Sequence, residues 1–215
     1  IFAANADRML LGSWVTPEVL GFYAVALSLF TVLMGAGDRM LGGIVFPMLS
    51  EAARDSQERF HRLYRKLHLP TDLIFLFASG ALFASAEWIV RLLFDPRYEE
   101  AGHMLKILSL SLVLAKYSLA TNAYLAQGRT AWLSAINAVQ LVGAWTIIPL
   151  GFHFFGLQGA LVGIALRSLP MLPMTLFFNS RLGINNWKVE VGSLVAWPIG
   201  FAIGHLVTIL GAAVR

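Results

Sequence analysis

Six side chains in this sequence could do chemistry inside a membrane: Asp7, Arg8, Asp38, Arg39, Lys116 and Arg167. Asp38 and Arg39 stand in the middle of an apolar run, Leu20 to Ala53, where the only other charge is Glu51. A helix crosses a hydrocarbon core in ~20 residues, so this run places the pair near mid-membrane. One Arg or Asp at a helix centre costs roughly 2.5 to 3.5 kcal/mol and is tolerated where it meets a polar cavity or an internal partner. Arg39 shares a helical stripe with Ser28, Gly35, Gly43 and Ser50, broadened by Thr31, Asp38 and Gly42. On such a stripe a guanidinium offers paired donors to a phosphate. The alternative is an ion pair from Asp38 to a neighbouring helix, with glycines that only allow close packing. Lys116 falls mid-span, too deep to snorkel, and is expected to face the interior or a cavity. Arg167 follows Gly159 and Gly163 at intervals of four, either as a second anion contact or as a packing lock. Asp7 and Arg8 mark a cavity rim or a surface-reaching pair.

Cations held deep for an anionic passenger are transport chemistry, and catalytic patterns are sparse beside them. Neither a GxSxG nucleophile turn nor a GxxxxGK[ST] phosphate loop occurs. Glu99 and Glu100 are adjacent, so they point apart and suit the first turn of a helix. The five histidines, His61, His68, His103, His153 and His205, are read as scattered, with no carboxylate partner at i, i+4. No catalytic residue, metal site or cofactor is therefore expected. The chain has no cysteine, which removes disulfides and thiolate ligands.

The elements that must position these residues are transmembrane helices. Hydrophobic residues make up 58% of the chain and charged ones 13%, against about 25% charged in an ordinary globular domain. The pattern predicts an all-α, polytopic transmembrane bundle of about six full spanning helices plus a truncated first helix, Ile1 to Ser13. Helix two covers about Val19 to Ala53. Helix three starts amphipathic at Ser56, kinks or restarts at Pro70 and is apolar from Leu73 to Ala84; a short separate piece follows, Ala86 to Phe94. Helix four runs from Glu99 to Ala126 and helix five from Thr130 to His153. Gly156 opens helix six, which ends near Arg181, and helix seven runs from the Asn185 to Lys188 loop to Ala213. Residues 1–182 form one lobe and 183–215 an additional helix. Arg54, Arg59, Arg62, Arg65, Lys66, Arg129, Arg181 and Lys188 then fall on one side, the cytoplasmic one by the positive-inside rule. The net charge of +4 is thus a topology signal, and no nucleic-acid partner is expected.

The segments ADRMLLGSWVTPEVLGFYAVALSLF, FPMLSEAARD, AEWIVRLLFDPRYEEAGHMLKILSLSL, AYLAQGRT and FGLQGALVG, in that order, resemble the second half of a polysaccharide-type flippase. Such flippases belong to the multidrug/oligosaccharidyl-lipid/polysaccharide exporter superfamily. The resemblance runs from Ala6 to about Leu182. It implies one lobe of a two-lobed exporter of the inner (plasma) membrane, whose first two helices line a central cavity of alternating access. Asp7, Arg8, Asp38 and Arg39 lie on those two helices. The implied cargo is a polyprenyl-diphosphate-linked oligosaccharide, and the implied partners are membrane lipids and a missing N-terminal lobe. Two other readings stand: a drug or cation antiporter of the same superfamily, and a non-transporting membrane protein of glycan processing.

Overall fold

The computed structural model describes residues 6–213, and among them every regular element is a helix. The first is α1 (Ala6–Trp14), closed by a turn in which the Thr16 hydroxyl caps α2 (Pro17–Met40) with Pro17 at its start. One π-helical turn, Leu41–Val45, joins α2 to α3 (Phe46–Asp55) without a break in direction, so the two make one 39-residue apolar segment. Ser56 leaves helical geometry and its hydroxyl accepts from the Arg59 amide at 3.2 Å, which starts α4 (Gln57–Leu93).

Here the structure differs from expectation. α4 is one helix of 37 residues that runs through Pro70 and absorbs the segment expected to stand apart. The C-terminal half of α4 packs against α5 (Glu99–Ser109) and α11 (Ala196–Ala213), which keeps the segment expected to stand apart in the helix, while Pro70 is exposed and does not end it. Helix four is also less regular than expected. It is divided into α5, α6 (Ser111–Ala115) and α7 (Ser118–Ala126), with short-range bonds at Leu110 and at Lys116–Tyr117.

Helices five and six are the two arms of α8 (Thr130–Leu166), which turns at Gly156 with φ 60° and ψ −145°. A side chain is strained in that backbone geometry, so glycine suits the turn. The arms pack without room for side chains: a Cβ on Gly163 would lie 3.0 Å from Ile148 Cα, and one on Gly143 would lie 2.6 Å from the Arg167 carbonyl. After an interruption at Arg167 to Pro170 come α9 (Met171–Leu182), α10 (Trp187–Gly192) and α11. Five segments are long and apolar enough to cross a membrane, and one folds back at Gly156, so the described residues supply six arms of spanning length.

Contacts sort the loops as the charge pattern does. Gln127 donates to Gln57 at 3.1 Å and His61 lies 2.7 Å from the Leu182 carbonyl, which gathers the basic ends. At the other end Trp14 stacks on Phe152, and Tyr98 meets Phe22 and Phe94. One tie inside the bundle is testable. The buried Tyr124 hydroxyl donates to Asn179 Oδ1 at 2.6 Å and lies 3.1 Å from the Thr175 carbonyl, joining α7 to α9. Tyr124→Phe is expected to lower stability by about 1 to 3 kcal/mol, since it strands a buried acceptor. Denaturant unfolding of the protein in detergent checks this, and an unchanged midpoint would remove the tie from the account.

Candidate functional site

Three polar features lie within the span, and each takes one or more of the six candidate residues. The first is the outer face of α2. Tyr23 and Ala26 bury one side of this helix and leave Ser28, Thr31, Asp38, Arg39, Gly42 and Gly43 exposed on the other. Arg39 Nε donates to the Gly35 carbonyl at 3.0 Å, and neither Arg39 nor Asp38 has an ion-pair partner among the described residues. The ion pair from Asp38 to a neighbouring helix is not formed. A carboxylate and a guanidinium at the centre of a 39-residue apolar segment, open on one face, require water or another polar surface there. Just beyond them the π turn widens the backbone, a distortion that recurs at functional positions.

The second feature is a partly open cavity of about 280 Å³ lined by α1, α2, α5, α6, α7, both arms of α8 and the start of α9. Asp7 and Arg167 both line it. Asp7 is 3% exposed; Tyr23 donates to its Oδ2, while Oδ1 is buried without a partner. Arg167 projects from the interruption between α8 and α9, and its Nη1 is likewise buried without a partner. Arg8, next to Asp7, is exposed and absent from the lining, as expected of neighbours that point about 100° apart. The structure thus separates Asp7 from Arg8 and joins it to Arg167, 160 residues away.

The third feature holds Lys116. The lysine is buried, as expected of a cation at this depth, but its ammonium is already bonded, 3.1 Å from Asp72 Oδ2 and 2.6 Å from Glu190 Oε2. The Tyr117 hydroxyl donates to the same Glu190 oxygen at 3.0 Å, and Ser193 donates to Asp72 Oδ2 at 3.1 Å. His68 Nε2 stands 3.6 Å from Asp72 and 3.5 Å from Glu190. Lys116 is therefore locked into an ionic cluster that ties α10 to α4 and the α6–α7 break. The reading of scattered histidines is corrected as well, because His68 and Asp72 are an i, i+4 pair. Groups on His68, Asp72 and Glu190 lie within 4.8 Å of one another, close enough for a cation, and the chain supplies one of its own in Lys116.

Asp72 and Glu190 escaped the reading of the sequence. Asp72 carried a usable signal, a lone acid four residues after a histidine where α4 turns apolar. Glu190 carried none, since it lies just past the Asn185 to Lys188 loop and is buried by distant partners, His68 on α4 and Lys116 and Tyr117 at the α6–α7 break.

Residues 1–102 match the family described as polysaccharide biosynthesis protein. The match takes in Asp7, Arg8, Asp38, Arg39 and the His68–Asp72 pair. No curated protein and no solved structure matches the chain.

Proposed function

We propose a lipid-linked oligosaccharide flippase, from a chain whose first 102 residues match a polysaccharide biosynthesis family and whose described helices include six arms long and apolar enough to cross a membrane. In this reading the chain is the C-terminal lobe of a two-lobed exporter of the inner membrane. It moves a polyprenyl-diphosphate-linked oligosaccharide by alternating access, as a transporter and not an enzyme. The observation that carries it is Arg39, a mid-span guanidinium with no acidic partner among the described residues, on an exposed face that this reading turns toward the other lobe. Diphosphate oxygens match its paired donors, and the lipid tail stays in the bilayer. Lys116 drops out of the anion path because its charge is already spent on Asp72 and Glu190.

A cationic cargo would instead draw on Asp7, the carboxylate of the cavity, one of whose two oxygens accepts from Tyr23. Arg39→Ala in the full-length protein is expected to lower glycan export about ten- to a hundredfold at unchanged protein level, the worth of one charge-assisted contact. Unchanged export would remove Arg39 from the mechanism. Resistance to cationic drugs with no glycan phenotype would favour the antiporter.

A further inference from the structure

We propose that the cavity of Asp7 and Arg167 is a subsite for one neutral sugar ring of the cargo, distinct from the diphosphate contact at Arg39; this rests on the transport reading above. Charge is the first argument. The buried orphans in the cavity are an acceptor, Asp7 Oδ1, and a donor, Arg167 Nη1. Their charges oppose, so the site does not select an anion, and the carboxylate would repel a diphosphate. A group that both donates and accepts satisfies the two together, and the hydroxyls of a sugar do so.

The rest of the lining has the same character. Ser118 and Thr121 donate to the carbonyls of Ala115 and Ser118, at 2.5 and 2.8 Å, which leaves their oxygen lone pairs free to accept. The Gln140 amide nitrogen has only the Met171 sulfur, a weak acceptor, at 2.8 Å. Phe30 and the Tyr117 ring supply apolar walls for the C–H face of a ring. Size sets a limit on the occupant. At about 280 Å³ the cavity lies at the small end of ligand pockets, which start at about 300 Å³, and takes one ring rather than a chain.

Met34 lines the cavity, and Arg39 lies five residues further along α2, about 7.5 Å in axial rise and roughly 140° around the axis. The two contacts therefore lie on different faces of the helix, and the variants below report on them separately. The competing occupant is water, which could bridge the two orphan groups.

Binding to the purified full-length protein separates these cases. The probes are bare polyprenyl diphosphate and the same lipid carrying one glucose, galactose or N-acetylglucosamine. Wild type is expected to bind at least one glycosylated probe more tightly than the bare lipid. Gln140→Leu and Thr121→Val, each checked for a monodisperse fold, are expected to weaken that probe about five- to tenfold and leave the bare lipid within about twofold. Arg39→Ala is expected to weaken both about tenfold. Equal affinity of wild type for all probes, or cavity variants that weaken every probe alike or none, would overturn the subsite and leave the cavity to water. Loss of sugar discrimination in the cavity variants, together with no effect of Arg39→Ala, would keep the subsite and sink the diphosphate anchor.

Discussion

Lys116→Met is expected to cost about 3 to 5 kcal/mol of stability, the largest single effect in this chain. The substitution keeps most of the side chain's volume and removes the one ammonium between two buried carboxylates, Asp72 at 3.1 Å and Glu190 at 2.6 Å. Two like charges then face each other in a low-dielectric interior, with the neutral hydroxyls of Ser193 and Tyr117 and the His68 ring as polar neighbours. Removing the carboxylate charges as well, in Lys116→Met/Asp72→Asn/Glu190→Gln, is expected to restore most of the loss, because matched neutral groups replace an uncompensated charge. Denaturant titration of the protein in detergent, run for the single and the triple variant, checks both halves. A single variant as stable as wild type but dead for export would return Lys116 to the cargo path and overturn the cluster as a structural lock.

Gly80→Leu is expected to displace the last helix, at a cost of about 3 kcal/mol or more. α4 and α11 meet backbone to backbone. A Cβ on Gly80 would run into the Trp197 carbonyl oxygen and lie 2.8 Å from the Phe201 amide nitrogen. From the other side Gly200 faces the Phe77 carbonyl and Gly204 the Ala81 carbonyl, so the Gly200-x-x-x-Gly204 spacing forms the contact. Backbone atoms cannot swing aside as a side chain would, so the helices must part, and dispersion contacts are lost along the seam. Protease cleavage in the connection around Gly183 to Asn186, together with the unfolding midpoint, reports the separation. A variant with wild-type cleavage and midpoint would mean that α11 does not depend on this approach. Because Glu190 and Ser193 precede α11 and bond the cluster, the two predictions concern the two ends of one attachment of residues 187–213 to α4.

Much of this architecture was legible one helix at a time. Apolar runs of spanning length, the basic loop ends and the break at Gly156 all follow from local composition and from backbone limits at glycine. The end of α4 is where local reasoning failed, since the segment from Ala86 was expected to stand apart and instead continues the helix where α5 and α11 pack on Glu87 and Trp88. Among the site residues, Arg39 was legible because its isolation is a property of the run around it. The partners of Lys116, Asp7 and Arg167 were not, because pairing is decided between helices.

The sequence by itself determined that the chain is a bundle of membrane-crossing helices and that cations lie deep within it, because hydropathy and the cost of burying charge act on each segment alone. Only the tertiary structure decided which cations are neutralised. Lys116 meets Asp72 and Glu190 from 44 and 74 residues away, while Arg39 and Arg167 keep unpaired capacity. The physical reason is that an ion pair depends on distances of a few ångströms between side chains of different helices, and no pattern along one helix specifies those distances.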